Sequence, residues 1–351
     1  MSSDRPSDPG TATAAAAAEP AYVTAAGPGR EVSRARQLLL RVATDRPLLL
    51  IFLIAVLIGV MTLLEPATFP RWENAVVVLL DTAQTAILAC GMMLLLISGM
   101  FDLSIGGILA FSGIIAALLA KDLGLPPIIA FLVGCGWGLL LGAVNGTLVT
   151  KFKINALIAT LATASVYRGA LQLVSGAGVI NIGHDYTVFG QTQVLGIYSP
   201  FWFMAVIVVI SAFLVGRTRY FRQAYYIGGN ARAAKLSGIN VDRTVFSFFV
   251  IMGLLAGLAG ALLASRLNTA VVNAGTGVEL KVITAVVLGG ASLSGGVGTI
   301  FGAFLGVLLM ALLQNSMIIA GINPFWQLIV VGIVLVISVG LDQFARARTR
   351  V

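Results

Sequence analysis

The chain has 351 residues, 58% of them hydrophobic and only 10% charged, with a formal net charge of +8. A water-soluble domain carries roughly 25% charged residues, so the bilayer is the solvent for most of this chain. The basic excess does not point to nucleic acid, because the charges gather in the amino-terminal tail, at the carboxyl end and in one central stretch, the bias of cytoplasmic loops in a multi-pass membrane protein.

Residues 1–45 are rich in Pro, Gly, Ala, Ser and Thr and read as a disordered cytoplasmic tail. They do not read as a secretory signal: the first apolar run begins only at Pro47, and Leu64-Glu65-Pro66-Ala67 offers no small-residue cleavage site. Arg30, Arg34, Arg36, Arg41 and Arg46 precede that run and are expected to keep the amino terminus inside. A spanning helix takes about 20 apolar residues, which divides the chain into about ten spans. They fall near 47–64, 75–97, 103–120, 126–149, 154–174, 200–216, 245–266, 279–293, 298–319 and 325–341. Alternation from an inside start places Lys151, Lys153, the stretch Arg217 to Arg243 and Arg346, Arg348 and Arg350 all on the inside. Arg71, Lys121, Arg266 and Lys281 are dispersed exceptions. The expected fold is an all-α integral membrane protein with about ten transmembrane helices, a broken or re-entrant segment and both termini cytoplasmic. Its membrane body runs over 46–342, and 343–351 forms a basic cytoplasmic tail.

The largest outer connection, about Ser175 to Ser199, carries Asn181, His184, Asp185, Tyr186 and Gln191. It is either a plain connecting loop or a docking surface for an extracytoplasmic partner. Cys90 and Cys135 lie inside apolar runs and read as small buried hydrophobes. The lone His184 leaves no cluster from which to build a metal site.

Within the spans, Gly134, Gly138, Gly142 and Gly146 recur every four residues, as do the pairs Gly253 with Gly257 and Gly302 with Gly306. Small residues on one helix face allow close helix approach, so these glycines read as packing. The run Ser98 to Gly107 sets Asp102 and Ser104 between apolar runs. It reads as a helix break, which survives at membrane depth only when buried in protein or lining a cavity. Asp102 can cap the following helix through its early N–H groups or meet a substrate. Ala291 to Gly298, with Ser292 and Ser294, is a second glycine-serine break, and Ser294 precedes Phe301 by the interval that separates Ser104 from Phe111. Corresponding breaks in two halves point to a pathway. Asp81, Gln84, Asn145, Asn155, Arg168, Gln314 and Asn315 are further polar residues in or beside spans, where interhelical hydrogen bonding or a wet cavity must accommodate them. Arg168 is read as snorkelling towards the outer surface.

The central stretch Tyr226 to Arg243 is built for water. Asn230 is a candidate N-cap, Ala231–Ser237 a short helix and Gly238 its terminator. Ala233, Leu236 and Ile239 then share one small apolar face. A solvated loop is one reading; a helix that seats in a partner's groove is the other. None of the lysines, at 121, 151, 153, 235 and 281, follows a glycine, so no Gly-Lys-Ser/Thr phosphate loop exists for ATP hydrolysis. His184 has no nucleophile elbow near it, and no catalytic signature is legible.

Three motifs in order carry a resemblance. Gly228-Gly229-Asn230, Ala233-Ala234 and Leu236-Ser237-Gly238-Ile239 resemble the cytoplasmic loop of the ribose-type sugar permeases of bacterial ABC importers. Asp102-Leu103-Ser104-Ile105-Gly106 is similar to their Asp-Leu-Ser-Val-Gly signature, and Glu279 to Gly298 to their second-half signature. The resemblance runs from about residue 45 to 342. It implies a non-enzymatic permease subunit of the bacterial inner membrane, carrying a sugar or polyol by alternating access. It also implies a second permease copy (identical or not), an extracytoplasmic sugar-binding protein, and ATPase subunits that hold the ATP and Mg, leaving no cofactor on this chain. The segment 217–243 would be the coupling loop, with Gly228, Gly229, Asn230, Ala233, Ala234, Leu236, Ser237, Gly238 and Ile239 as its contact residues. Asp102, Ser104, Asn145, Asn155, Ser292 and Ser294 are the candidate pathway residues. Met100, Phe101, Arg232 and Lys281 depart from the family pattern. A related branched-chain amino acid permease and a stand-alone ion-coupled carrier are the competing readings; the Leu-Ser-Gly-Ile and Asp-Leu-Ser motifs favour sugar.

Overall fold

The computed structural model describes residues 45–349 apart from 177, 178, 181 and 324. The tail expected over 1–45 lies, save for Asp45, outside the described residues. Every apolar run folds as a helix. In chain order these are α1 (Arg46–Leu64), α2 (Trp72–Ile97), α3 (Ile105–Lys121), α4 (Pro127–Thr150) and α5 (Ala156–Ser175). After the first strand, β1 (Val179–Ile180), come the short α6 (Val188–Gln191), the strands β2 (Gln193–Val194) and β3 (Ile197–Tyr198), and α7 (Ser199–Arg217). The chain continues through α8 (Arg219–Leu236), α9 (Val241–Leu267), β4 (Thr269–Ala270), α10 (Val278–Leu288), α11 (Ile300–Ile319) and α12 (Phe325–Thr349). Proline opens α1, α4 and α7, where its missing N–H costs the helix nothing.

Seven of these, α1, α2, α4, α5, α7, α9 and α11, are long and apolar enough to cross a membrane. Three expected spans differ from that pattern, one of them α12, whose apolar portion Phe325–Gly340 falls among the shorter helices. α3 has 17 residues. The run expected as a span at 279–293 is the 11-residue α10, about 16 Å long at 1.5 Å per residue, roughly half a hydrocarbon core. It stops at Leu288 because Gly289 and Gly290 begin the second break. The expectation of helix alone is also qualified in the connection between α5 and α7, where β1 pairs antiparallel with β4 and β2 with β3. Of the residues that reading offered for docking there, Tyr186 is buried and its Oη donates to the Ala261 carbonyl, while Gln191 donates to the Arg266 carbonyl at 2.8 Å. Both are committed to the end of α9. Asp185 stays exposed.

The bundle is centred on α2. Of its apolar window 78% is buried, against 11% for α1, 28% for α5 and 22% for α7. It packs against α7, α9, α10 and α11. α1 instead lies on α11 through a satellite cluster of Leu50, Ile54 and Met61 with Leu305, Leu309 and Leu312. The second axis is α9 against α4. A Cβ on Gly138 would meet the backbone of Gly253 and Gly257, one on Gly142 the backbone of Phe249 and Gly253, and one on Gly146 the ring of Phe246. Helices packed backbone to backbone have no soft side chain to move aside, which is what the four-residue glycine spacing provides. Gly302 and Gly306 bring α11 equally close to Gly289 and Ala285 of the α10 segment.

Gly142→Leu is therefore expected to break the α4–α9 contact, by more than the ~1–3 kcal/mol of ordinary overpacking because backbone must shift. Gly136→Leu on the same helix, where a Cβ meets nothing within 4 Å, should leave the protein unchanged. Thermal unfolding of the two variants in detergent separates them; equal melting temperatures would contradict the interface.

Candidate functional site

Among the described residues α8 is the one long helix that is not apolar. At Asn230 its backbone leaves helical geometry (φ −161°, ψ 99°), and Asn230 Oδ1 accepts the N–H of Ala233 at 3.0 Å. The residue thus caps a second short helix inside the segment, a contact worth about 1 kcal/mol. That helix ends in a Schellman motif: Ile239 N–H bonds the Ala234 carbonyl and Gly238 N–H the Lys235 carbonyl, each at 3.1 Å. Gly238 sits at φ +84°, where a side chain would be strained. Ser237 Oγ closes a further bond to the Ala233 carbonyl at 3.0 Å. Both ends of this stub are satisfied by its own residues. Ala234 is buried beneath it, whereas Ala233 is exposed, Ile239 half-buried and Leu236 86% exposed. Of the small apolar face read from the sequence, Ala233 and Leu236 point away from the protein while Ile239 packs against the core.

The other half of α8 is anchored by backbone. A Cβ on Gly228 would fall on the Ile97 carbonyl oxygen at the end of α2. The same carbonyl accepts the N–H of Gly296, 2.8 Å away, from the second break. Gly295, at φ +85°, lies against Gly228 and Gly99, and Gly296 lies beside Gly229. Tyr225 Oη donates to the Gly298 carbonyl at 2.8 Å; burial raises this phenol above its ordinary value, against the opposing pull of Arg222, which keeps it a donor. The three motifs that stand far apart in sequence, 98–104, 228–230 and 291–298, therefore meet at one junction. On its far side Thr244 Oγ1 bonds Gln223 Oε1 at 2.9 Å and Tyr220 Oη pairs with Ser247 Oγ at 2.6 Å, tying α8 to α9.

The candidate pathway residues divide. Asp102, Ser104 and Asn145 are wholly buried together. Asp102 Oδ1 accepts Ser104 N–H at 2.8 Å and Ser104 Oγ–H at 2.6 Å, and Asn145 Nδ2 donates to Asp102 Oδ2 at 3.0 Å and to Ser104 Oγ at 2.7 Å. Tyr167 Oη completes the set, donating towards Asn145 Oδ1 at 3.0 Å and the Leu141 carbonyl at 2.9 Å. Asp102 thus bonds the N–H of Ser104, the residue preceding α3, rather than the first-turn N–H groups of the helix itself. Its network pins the first break to α4 and α5. Asn155 lies elsewhere, exposed, capping α5 through Leu157 N–H at 2.9 Å. Ser292 is buried and its Oγ accepts Ser294 N–H at 3.2 Å, while Ser294 is exposed at the second break.

Arg168 corrects an expectation. It does not snorkel: its guanidinium turns into the bundle and donates to the Val272 carbonyl at 2.8 Å, near Gly106 and Glu279. Tyr167 and Tyr225 were absent from the sequence-based candidates. The signal for Tyr167 was its place beside Arg168 in mid-span; for Tyr225 none exists short of the fold, since Gly298 lies 73 positions away. Among the described residues no group of three or more His, Cys, Asp or Glu is placed to hold a metal. What the arrangement offers is mechanical: an exposed, self-capped stub rigidly connected to both helix breaks.

Residues 74–339 match the family model described as "Branched-chain amino acid transport system / permease component". The chain is 40% identical over 302 residues to a ribose import permease protein of Bacillus subtilis (strain 168), covering 85% of this chain and 92% of that protein. It is 35% identical over 293 residues to the ribose import permease protein of Escherichia coli (strain K12), covering 82% and 91%. It is also 35% identical over 275 residues to the L-arabinose transport system permease protein of Escherichia coli (strain K12), covering 77% and 83%. No solved structure matches the chain.

Neighbouring glycines make the junction testable. Gly228→Ala is expected to displace α8 and lower the melting temperature of the purified protein, whereas Gly229→Ala, whose Cβ meets nothing within 4 Å, should not. Identical melting of the two variants would remove the junction from consideration. Asn145→Leu strips a donor from the buried Asp102, at a cost of about 2 kcal/mol or more, read as a second melting shift.

Proposed function

Since the chain belongs to the family of branched-chain amino acid transport system permease components, we propose that it is the membrane-spanning subunit of an ATP-driven importer that moves a sugar, a monosaccharide such as a pentose, by alternating access. The family name also covers amino acid carriers. The similar proteins named for ribose and L-arabinose, matched over most of both chains, favour sugar.

The observation that carries the mechanical part is the stub 230–239, capped at both ends and presenting Leu236 at 86% exposure. An apolar side chain on a rigid polar turn suits a groove in an ATPase subunit. We read Gly228, Gly229, Asn230, Ala233, Ala234, Leu236, Ser237, Gly238 and Ile239 as the coupling element. ATP and Mg would be held by that ATPase, and cargo would be delivered by an extracytoplasmic binding protein. A second permease copy, identical or not, would complete the assembly in the bacterial cytoplasmic membrane, with about ten passes and both termini inside. When the ATPase pair closes, the stub moves with it. Gly228 passes the displacement to Ile97 and Gly295 backbone to backbone, and the Tyr225 hydroxyl holds the Gly298 carbonyl, so both breaks shift together. Packed backbones switch between discrete arrangements rather than deform continuously, which suits alternation between two openings.

Leu236→Asp is expected to abolish co-purification with the ATPase and to cut uptake at least tenfold, with normal membrane insertion. Retained ATPase binding would sink the coupling assignment. Uptake of labelled ribose, arabinose and leucine with and without this chain, repeated after ATP depletion, tests the importer itself. An ATP-dependent defect in sugar is expected; a leucine defect would place the chain among the amino acid carriers.

A further inference from the structure

At the other end of α2 from the glycine junction, the bundle holds a cavity of about 340 Å³ between α2, α10, α11 and α12. It is lined by Asp81 and Gln84 of α2, Lys281 of α10, Gln314 of α11 and Gln327 of α12. Lys281 Nζ pairs with both Asp81 carboxylate oxygens, at 3.0 and 3.2 Å. Gln84, Gln314 and Gln327 are half-buried, and none has a hydrogen-bond partner among the described residues. Polar and charged side chains inside a membrane bundle are costly and mark a route for polar cargo.

Resting on the importer reading above, we propose that this cavity is a sugar-binding station of the translocation route, with Gln84, Gln314 and Gln327 as the residues that bond the hydroxyls. Each free amide offers a donor pair and an acceptor, the complement of a hydroxyl. The ion pair neutralises itself, so the site carries no net charge and favours a neutral polyol over an ionised ligand. One wall is apolar, made by α12 residues such as Leu328 and Val331, and suits the C–H face of a sugar ring. Small-molecule pockets run from about 300 to 1,000 Å³, and a volume near the lower bound suits a monosaccharide rather than an oligosaccharide. The site lies about 24 Å along α2 from Ile97, 16 residues at 1.5 Å each, and in the orientation proposed above it belongs to the outer half of the membrane. It shares no residue with the buried Asp102 network, which the sequence alone had offered as the pathway.

The test uses the complete importer, with its ATPase and binding protein, in membrane vesicles supplied with labelled D-ribose or L-arabinose. Gln314→Leu and Gln84→Leu are each expected to lower sugar moved per ATP hydrolysed at least tenfold, with assembly and ATP hydrolysis at parent levels. Separately, a thiol introduced by Thr276→Cys, at an exposed position that lines the cavity and is assigned no sugar contact, should react with a water-soluble thiol reagent and be protected by millimolar sugar; Cys90 and Cys135 are buried and stay silent. Parent-level transport by both leucine variants, or labelling indifferent to sugar, overturns the cavity assignment and leaves the importer reading standing. A parent importer that moves neither sugar overturns both.

Discussion

In hydrocarbon a backbone N–H or C=O without a partner costs several kcal/mol, and among the described residues two of the connections between helices, 98–104 and 289–299, are glycine-serine breaks packed into the bundle. Most of the architecture answers that constraint. The first break is held by the Asp102 carboxylate, Ser104 and Asn145, closed by Tyr167. The second is held by the Ile97 carbonyl on Gly296 and by Tyr225 on the Gly298 carbonyl. Each break closes much of its backbone on the helix it ends, Ser98, Gly99 and Met100 on α2 and Gly289, Gly290 and Ala291 on α10, and contacts from other helices then tie it into the bundle.

The same contacts explain how a water-facing segment bears on a membrane core. α8 touches both breaks through glycine, where no side chain can absorb a displacement, and its outer portion is a self-capped stub whose Leu236 is left uncovered. α2 then connects this junction to the polar cavity at its opposite end. Of the seven long apolar helices it is the most enclosed, gripped by α7, α9, α10 and α11, while α1, α5 and α7 carry far more exposed apolar surface. A rigid centre with peripheral helices suits a machine in which force applied at one membrane face alters a cavity near the other.

Much of this was legible residue by residue. The caps of the 230–239 stub follow from Asn and Gly at helix-length spacing, because capping is local chemistry. The α4 glycines announced a close helix neighbour because their spacing repeats one face per turn. Local rules also failed in identifiable places. Apolarity alone made 279–293 a span, but Gly289 and Gly290 end the helix after Leu288, and hydropathy does not register that. Arg168 read as snorkelling because a sequence shows distance to the end of a span and not the Val272 carbonyl that returns to it. Gln327 was passed over because it stands near the start of its helix, where a polar residue needs no explanation until three other helices supply the opposite wall.

By itself the sequence determined the solvent, the helical class, the capped stub, the two breaks and the family, since each depends on composition or on neighbours within a few residues along the chain. Only the tertiary structure decided which break meets which helix, that Asp102 serves a buried bond network, and that Asp81 faces Lys281 across 200 positions. Those are statements about distance between segments remote in the chain. In a bundle whose helices present similar apolar and glycine-rich faces, close packing selects the pairing, and no local pattern records it.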